Sequence, residues 1–383
     1  MATTMQRPAI KQERIVSLDV MRGIVIAFMI LVNNNGAERS AYFELRHSAW
    51  SGWTFTDLVF PSFLFMVGVT VVFSTSSRLA KGASRRDLFL HIVQRAVFLF
   101  CFGLIVNGFP HFPLHTWRIY GVLQRTALCY LVVGTLYLFS RRAVTFIVAA
   151  AVALISYYVI MRWIPVPGYG LPVRDIPLLD HDRNMVAYFD RLIFPHRLYE
   201  KVRDPEGLIS TIPAIATTCL GVLTGLWLRT ARPVAQRAWG LLIASLAGLA
   251  MGELWNVWFP INKKLWTSSY VLFAAGCTLM LLFVCYLLLD VKKVRGKWAW
   301  PWLVFGSNAI TAYMFSELFS SLLSWIQVPC GDQHASLRRC FYAHTFQRLP
   351  DAAFASLLYS LTFVAVCFVV NVILCQRKIF LKV

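Results

Sequence analysis

The sequence has few charged residues, and acidic residues are the scarcer kind. Only 14% of its 383 residues are charged, and Asp and Glu together number 18 against 37 Lys and Arg. Soluble domains average about 25% charged residues, so this composition argues against a soluble enzyme. Hydrophobic residues make up 58% of the chain instead. This balance predicts a polytopic membrane protein.

Three further patterns are missing from the sequence. It contains no CxxC pair and no His-rich segment, so we expect no metal site. It shows no strong internal repeat, which weighs against the inverted-repeat architecture of many secondary transporters. No cleavable signal peptide is evident, because residues 1–14 are polar and the first apolar run lacks a small-residue cleavage site. We therefore expect that first run to be retained as a membrane span.

Apolar runs recur along the chain at lengths near the ~20 residues that cross a bilayer as a helix. They predict an all-α polytopic membrane protein with about ten transmembrane helices. The predicted spans cover residues 15–33, 56–77, 88–107, 119–139, 143–161, 209–228, 236–256, 266–289, 299–323 and 354–375. We expect one transmembrane domain over 15–375, with tails at 1–14 and 376–383 and long polar loops at 162–208 and 324–353.

The net charge of +19 is distributed unevenly between the two sides of these spans. Lys and Arg concentrate in the two tails and in the short loops at 78–87, 140–142, 229–237 and 290–298. The positive-inside rule assigns these segments to the cytoplasm, which places both termini there. The loops 162–208 and 324–353 then lie on the opposite, outer side. Membrane topology therefore accounts for the basic charge, and we expect no nucleic-acid partner.

Polar side chains at the edge of a bilayer are costly, so each one is a candidate for function. Asn33 ends the first predicted span, and His47 and Asp57 precede or begin the second. A histidine suits general base catalysis near neutral pH, an asparagine can bind an oxyanion or orient a nucleophile, and Asp57 could orient the imidazole or a cationic substrate. The alternative is an interfacial histidine beside an ordinary aromatic belt formed by Trp50 and Trp53.

Other polar residues fall inside or beside the predicted spans. Arg22 follows Asp19 by three residues, so the two share a helix face, either as a structural ion pair or as part of an anion site. Arg125 lies in an apolar span and needs a carboxylate, carbonyl or phosphate partner, for which Glu317 is a candidate. Lys263 flanks the start of a span, where lysines often only extend to the interface.

Nine cysteines are scattered through the chain, and most fall within predicted spans as small apolar residues. Cys330 and Cys340 differ, because both lie in the 324–353 loop that the charge pattern assigns to the outer side. Two nearby cysteines in an oxidising compartment are a candidate disulfide.

Several motifs taken in order resemble a known family. They are "SLDVMRG", "VNNNG", "HSAWSGWTFTDLVFPSFLFMVG", "YGVLQR", "DPEGLIST" and "INKKLWTSSYVL". In this order they resemble the catalytic domain of heparan-alpha-glucosaminide N-acetyltransferase, and the start is similar to a broader set of membrane acyltransferases. The resemblance implies a bacterial relative in the inner (cytoplasmic) membrane, with a homodimer as the suggested assembly. The stretch "NNGAERSAYFEL" departs from the animal enzyme by being longer.

The resemblance implies transfer of acetyl from cytosolic acetyl-CoA, as donor substrate, to an amino sugar on the far side of the bilayer. It implies that His47 is the catalytic histidine and Asn33 its neighbouring active-site asparagine, and we add Asp57 as the orienting group. The predicted substrate- or acetyl-CoA-binding residues are Arg22, Gln124, Arg125, Asn262, Lys263, Trp50, Asn308 and Glu317. Two alternatives stay open: a membrane transporter of sugars or cell-wall fragments, and an O-acyltransferase of a surface polysaccharide.

Overall fold

The computed structural model describes residues 15–331 and 333–380. Within them the chain forms thirteen α-helices and one two-stranded hairpin, which confirms the all-α prediction. The helices are α1 Val16–Asn33, α2 Phe55–Ala80, α3 Arg85–Gly108, α4 Val122–Phe139, α5 Ala143–Trp163, α6 Met185–Ile193, α7 Thr211–Leu228, α8 Val234–Asn256, α9 Ser268–Tyr286, α10 Trp300–Ser307, α11 Ala309–Trp325, α12 Leu337–Thr345 and α13 Ala352–Gln376. Strands β1 Gln327–Cys330 and β2 Gln333–Ser336 pair antiparallel. The predicted tail 1–14 and the last three residues of the tail 376–383 lie outside the described residues.

Nine helices in the described part of the chain are long and apolar enough to cross a membrane, and each coincides with a predicted span. The tenth predicted span, 299–323, is interrupted. Asn308 adopts φ −127° and ψ 40°, which ends α10 and separates it from α11. Such a break in apolar surroundings is tolerated where it lines a cavity.

The helices form an inner and an outer set. In α1, α2, α4 and α7, 61–72% of the most apolar stretch is buried inside the protein, against 22–28% in α3, α8 and α13. The outer set therefore presents apolar faces to lipid. At the α2–α7 crossing, a Cβ on Gly68 would overlap the carbonyl of Thr218, and one on Gly221 would overlap that of Phe65. Only glycines allow this close approach of two backbones.

The long loop 162–208 folds as an ordered cap. It contains α6, and its Ile176 and Val186 share a buried hydrophobic cluster with Tyr157 of α5 and with Phe259. The cap thus has a small core of its own, packed against the end of the bundle. A segment this long between two spans is expected to be structured in this way.

The loop 324–353 contains the β1–β2 hairpin and α12, and α12 packs on α11. Cys330 and Cys340 are joined by a disulfide with a Cα–Cα distance of 5.8 Å. His344 Nδ1 lies 3.5 Å from the sulfur of Cys340 and 3.7 Å from that of Cys330. Because both sulfurs are bonded to each other, the imidazole is the only metal-donor group that this cluster retains.

Candidate active site

The start of α2 brings His47 and Asp57 together. Asp57 Oδ2 accepts hydrogen bonds from the Thr54 N–H at 3.1 Å, the Thr54 hydroxyl at 3.1 Å and the Ser48 N–H at 3.0 Å. Its other oxygen, Oδ1, lies 2.8 Å from His47 Nδ1. Asp57 is fully buried, whereas the His47 side chain keeps 42% exposure. The carboxylate accepts the Nδ1 proton, so Nε2 is left as the basic nitrogen.

Lys263 lies against the same imidazole. Its Nζ is 3.1 Å from Nδ1 and 3.4 Å from Nε2 of His47, and 3.8 Å from Asp57 Oδ1. Burial, and after it the Lys263 ammonium, hold the pKa of His47 below its ordinary value of 6.5. His47 is therefore neutral at pH 7 and able to accept a proton.

The cavity beside this pair, here called the His47 cavity, has a volume of about 480 Å³. Asn33 and Glu317 line it as well, and Asn33 Nδ2 donates to Glu317 Oε1 at 3.0 Å. Its charged lining residues, besides His47, are Glu38, Arg46, Asp57, Arg118, Glu200, Glu206, Lys263, Lys264, Glu317 and Arg338. Acidic and basic residues are present in equal number. Such a lining suits a hydroxyl-rich substrate carrying an ammonium better than a polyanion.

One wall of the His47 cavity is an ion network between Arg118 and two acidic residues of the segment that precedes α7. Arg118 Nε and Nη2 donate to the two oxygens of Asp204 at 2.7 and 2.6 Å, and Nη2 also donates to Glu206 at 2.5 Å. The guanidinium lies 4.6 Å from the Tyr199 ring centre. This bidentate geometry fixes the cap on the bundle and sets the position of the cavity wall.

A second cavity, here called the Arg22 cavity, has a volume of about 310 Å³. Asn308 lines it at the break between α10 and α11. Arg22 itself lies 3.4 Å from Asp19 and 3.3 Å from the Thr70 hydroxyl. Its basic lining residues are Arg22, Arg78, His91 and Arg95, and no carboxylate contributes to the lining within the described residues. A wall of this composition is suited to phosphate groups.

The two cavities lie end to end through the bundle. On α2, Phe60 lines the His47 cavity and Phe63 lines the Arg22 cavity. On α4, Val122 lines the His47 cavity and Thr126 lines the Arg22 cavity. Three or four residues of helix correspond to about 5 Å, so roughly one helical turn separates the cavities.

Two of the predicted binding residues, Arg125 and Gln124, are buried in the protein and line neither cavity. Arg125 is buried, donates to the Gly207 carbonyl at 3.1 Å and to the Ser210 hydroxyl, and lies over the Trp266 ring at 4.9 Å. The predicted Arg125–Glu317 pair is therefore wrong, because the turn before α7 brings its carbonyl to the guanidinium while Glu317 bonds Asn33. Gln124, also buried, lies against Gly103 and lines neither cavity.

Trp50 and Asn262 also lie outside both linings. Trp50 Nε1 donates to the Leu179 carbonyl at 2.9 Å, and its ring stacks on His181 at 3.8 Å, so it anchors the cap. Asn262 is buried, and its Oδ1 accepts from the Leu265 N–H at 2.9 Å. Asn262 thus orders the turn that carries Lys263. Both predicted binding residues hold the site's surroundings rather than contact the cavity.

Residues 14–239 match the family described as heparan-alpha-glucosaminide N-acetyltransferase, catalytic. The chain belongs to this family. It is similar to the heparan-alpha-glucosaminide N-acetyltransferase of mouse, at 30% identity over 363 residues, and to that of human, at 31%. The alignments cover 80% of this chain and 54% and 53% of those proteins. The chain therefore spans about half the length of the curated relatives it matches.

The part that matches the heparan-alpha-glucosaminide N-acetyltransferase catalytic family includes the His47–Asp57 pair and Asn33. It also includes Arg118, whose role the sequence did not indicate. Asp204 and Glu206 were recognisable only as acidic residues before a helix, and nothing local connects them to an arginine 86 and 88 residues earlier. Lys263 and Glu317 lie beyond the matched part, although they complete the same cavity.

Proposed function

We propose that this chain is a transmembrane acetyltransferase that moves acetyl from cytosolic acetyl-CoA to the amino group of a glucosamine-type sugar. The observation that carries the proposal is the His47–Asp57 pair in a cavity of mixed charge, with a basic cavity at the other end of the same helices. Family membership supports the reaction, because the relatives are named for N-acetyl transfer to a glucosaminide.

The acceptor chemistry follows from the base. A glucosamine ammonium must lose a proton before its nitrogen can attack a thioester carbonyl. His47 Nε2 takes that proton, and the Asp57 carboxylate stabilises the imidazolium that results. As the carbon–nitrogen bond forms, the attacking nitrogen carries a second proton that must also leave. When the tetrahedral intermediate collapses, the carbon–sulfur bond breaks, the departing thiolate takes one of the two protons and the other is released to solvent, so the products are the amide, the thiol and one proton. Direct transfer and a transient acetyl-His47 both conserve these atoms, and rapid quenching with labelled donor alone distinguishes them.

Asn33 and Glu317 are assigned to acceptor binding. Asn33 Nδ2 is engaged by Glu317, so its Oδ1 is available to accept from the amino group. The Glu317 carboxylate attracts the ammonium before deprotonation. Lys263 beside His47 keeps the base neutral and supplies a positive charge for the developing oxyanion.

The donor is assigned to the Arg22 cavity. Coenzyme A is large and polyanionic, and this cavity is lined by three arginines, of which Arg22 is also paired with Asp19 at 3.4 Å. Arg22, Arg78 and Arg95 would contact its phosphates, and Asn308 would provide an amide at the helix break. The acetyl group would then have to pass about one helical turn of bundle to reach His47.

The charge pattern of the loops supports the orientation that this reaction requires. Both termini and the basic short loops would face the cytoplasm, next to the Arg22 cavity, and the 162–208 cap would face outward with His47. The proposed location is the inner membrane of a bacterium, with a homodimer as the proposed assembly.

The test uses purified protein in detergent with radiolabelled acetyl-CoA and a panel of amino sugars. Wild-type protein is expected to label a glucosamine-type acceptor on nitrogen, and His47→Ala is expected to lose at least about 100-fold in rate. Thermal unfolding of both proteins controls for folding. Unchanged transfer by His47→Ala would exclude its assigned role, and labelling of a hydroxyl would favour O-acylation.

A further inference from the structure

An apolar groove lies beside the His47 cavity, between α11, α12 and α13. It has a volume of about 250 Å³. Its walls include Phe319, Leu323, Phe341, Thr362, Phe363 and Val366. Aromatic and aliphatic side chains dominate this lining, so the groove suits hydrocarbon rather than a sugar.

The groove opens to the side of the bundle where the bilayer lies. Only 28% of the most apolar stretch of α13 is buried, and Val366 keeps 39% exposure. From Tyr359 to Val366 the groove follows α13 for seven residues, which corresponds to about 10 Å at 1.5 Å per residue. A hydrocarbon chain lying along the helices would fill it.

Arg338 connects the groove with the candidate active site, because its side chain lines both cavities. Its guanidinium donates to the Ser320 hydroxyl at 3.2 Å and to the Asn35 carbonyl at 2.9 Å. Both acceptors are neutral, and no described carboxylate forms an ion pair with Arg338. Glu317 of the His47 cavity attracts this guanidinium without forming an ion pair with it. A guanidinium that donates only to neutral acceptors, at the end of a hydrocarbon groove, can bind a lipid phosphate.

We infer that the acceptor is lipid-linked: an amino sugar joined through a phosphate to a hydrocarbon chain. The chain lies in the groove between α11 and α13, the phosphate meets Arg338, and the sugar enters the His47 cavity. This inference rests on the proposed function and specifies its substrate class. A water-soluble amino sugar would use the His47 cavity alone and would gain nothing from the groove.

The test compares two acceptors and three variants in lipid nanodiscs. The acceptors are glucosamine and a glucosaminyl phosphate ester of a long isoprenoid alcohol that carries a diazirine in its chain. Thr362→Trp and Val366→Trp fill the groove, and Leu361→Trp is the matched control, because Leu361 is exposed on α13 outside the groove. The readouts are kcat/KM for acetyl transfer and the position of the photo-crosslink by mass spectrometry.

We expect the groove-filling variants to lower kcat/KM for the lipid acceptor by roughly tenfold or more, the equivalent of two or three buried methylene groups. Transfer to glucosamine and all activities of Leu361→Trp should stay within about twofold. Crosslinks should fall on α11 and α13 and disappear in Val366→Trp. Equal losses on both acceptors, or crosslinks elsewhere, would overturn the inference. If no acceptor is acetylated, the proposed function fails, and the crosslinks still decide whether the groove binds the lipid.

Discussion

Asp57→Asn tests the arrangement around His47 most sharply, because it changes charge and hydrogen-bond direction with almost no change in shape. The amide oxygen can still accept from the Thr54 and Ser48 N–H groups that bond Asp57 Oδ2. The amide NH₂ then faces His47 Nδ1, where Oδ1 now lies at 2.8 Å. An NH₂ group donates, so Nδ1 must become the acceptor and the proton moves to Nε2. The basic nitrogen is thereby lost.

The expected loss in kcat is about 10²–10⁴-fold, the range found for losing a positioned general base. The corresponding substitution in a Ser-His-Asp triad costs about 10⁴-fold for the same tautomeric reason. The effect on stability should be smaller. Hydrogen bonds to a charged acceptor contribute roughly 1 kcal/mol more than those to a neutral one, so we expect Asp57→Asn to destabilise the fold by about 1–3 kcal/mol.

The assay is radiolabelled acetyl transfer by wild-type protein, Asp57→Asn, His47→Ala and the double variant, with thermal unfolding in the same detergent. The double variant should be no slower than His47→Ala alone, because the two groups act as one unit. Retention of more than about a third of the wild-type kcat by folded Asp57→Asn would refute the reasoning, as would losses that multiply in the double variant.

Three further predictions concern charge, the cap and the disulfide. Lys263→Met removes a cation beside His47, so the pKa of His47 should rise. The acidic limb of the pH profile of kcat/KM should therefore move to higher pH, and an unmoved limb would contradict this. Burial raises the pKa of Asp190 from 3.8 to about 7. The stability that this group contributes is therefore full below pH 3.8 and is lost as pH rises through about 7. Asp190→Asn should flatten the fall in melting temperature between about pH 5 and 8, and an unchanged slope would contradict this. Replacing Cys330 and Cys340 together by serine opens a ten-residue loop and should cost about 2–3 kcal/mol locally, seen as faster proteolysis of the hairpin; an unchanged cleavage rate would argue against it.

Much of the fold could be predicted, because the local composition of a segment is enough to identify a membrane span. The spans agree with the helices to within a few residues, for example 143–161 against Ala143–Trp163. The exception is 299–323, where hydropathy is continuous across Asn308 but the backbone is not. Average hydrophobicity does not register a single residue that leaves the helical region.

Which residues of the site could be predicted together depends on how far apart they lie along the chain. His47 and Asp57 could be recognised together because ten residues separate them and the capping motif fixes the start of α2. Lys263 reaches the same imidazole from 216 residues away, and its role could not be read from its position at a helix end. Arg125 was expected to bond a carboxylate, carbonyl or phosphate, and the structure gives it a carbonyl and a hydroxyl; only the choice of Glu317 as its partner was wrong, because Glu317 lies 192 residues further along the chain and bonds Asn33.

In the proposed reaction, acetyl crosses the bilayer through this bundle, from the Arg22 cavity to His47. The most direct measurement reconstitutes the protein in sealed liposomes, supplies radiolabelled acetyl-CoA only on the side of the basic loops, and confines the amino sugar to the other side. The account predicts acetylated sugar on the acceptor side with wild-type protein and none with His47→Ala. Product that forms only when both substrates share one side would contradict it.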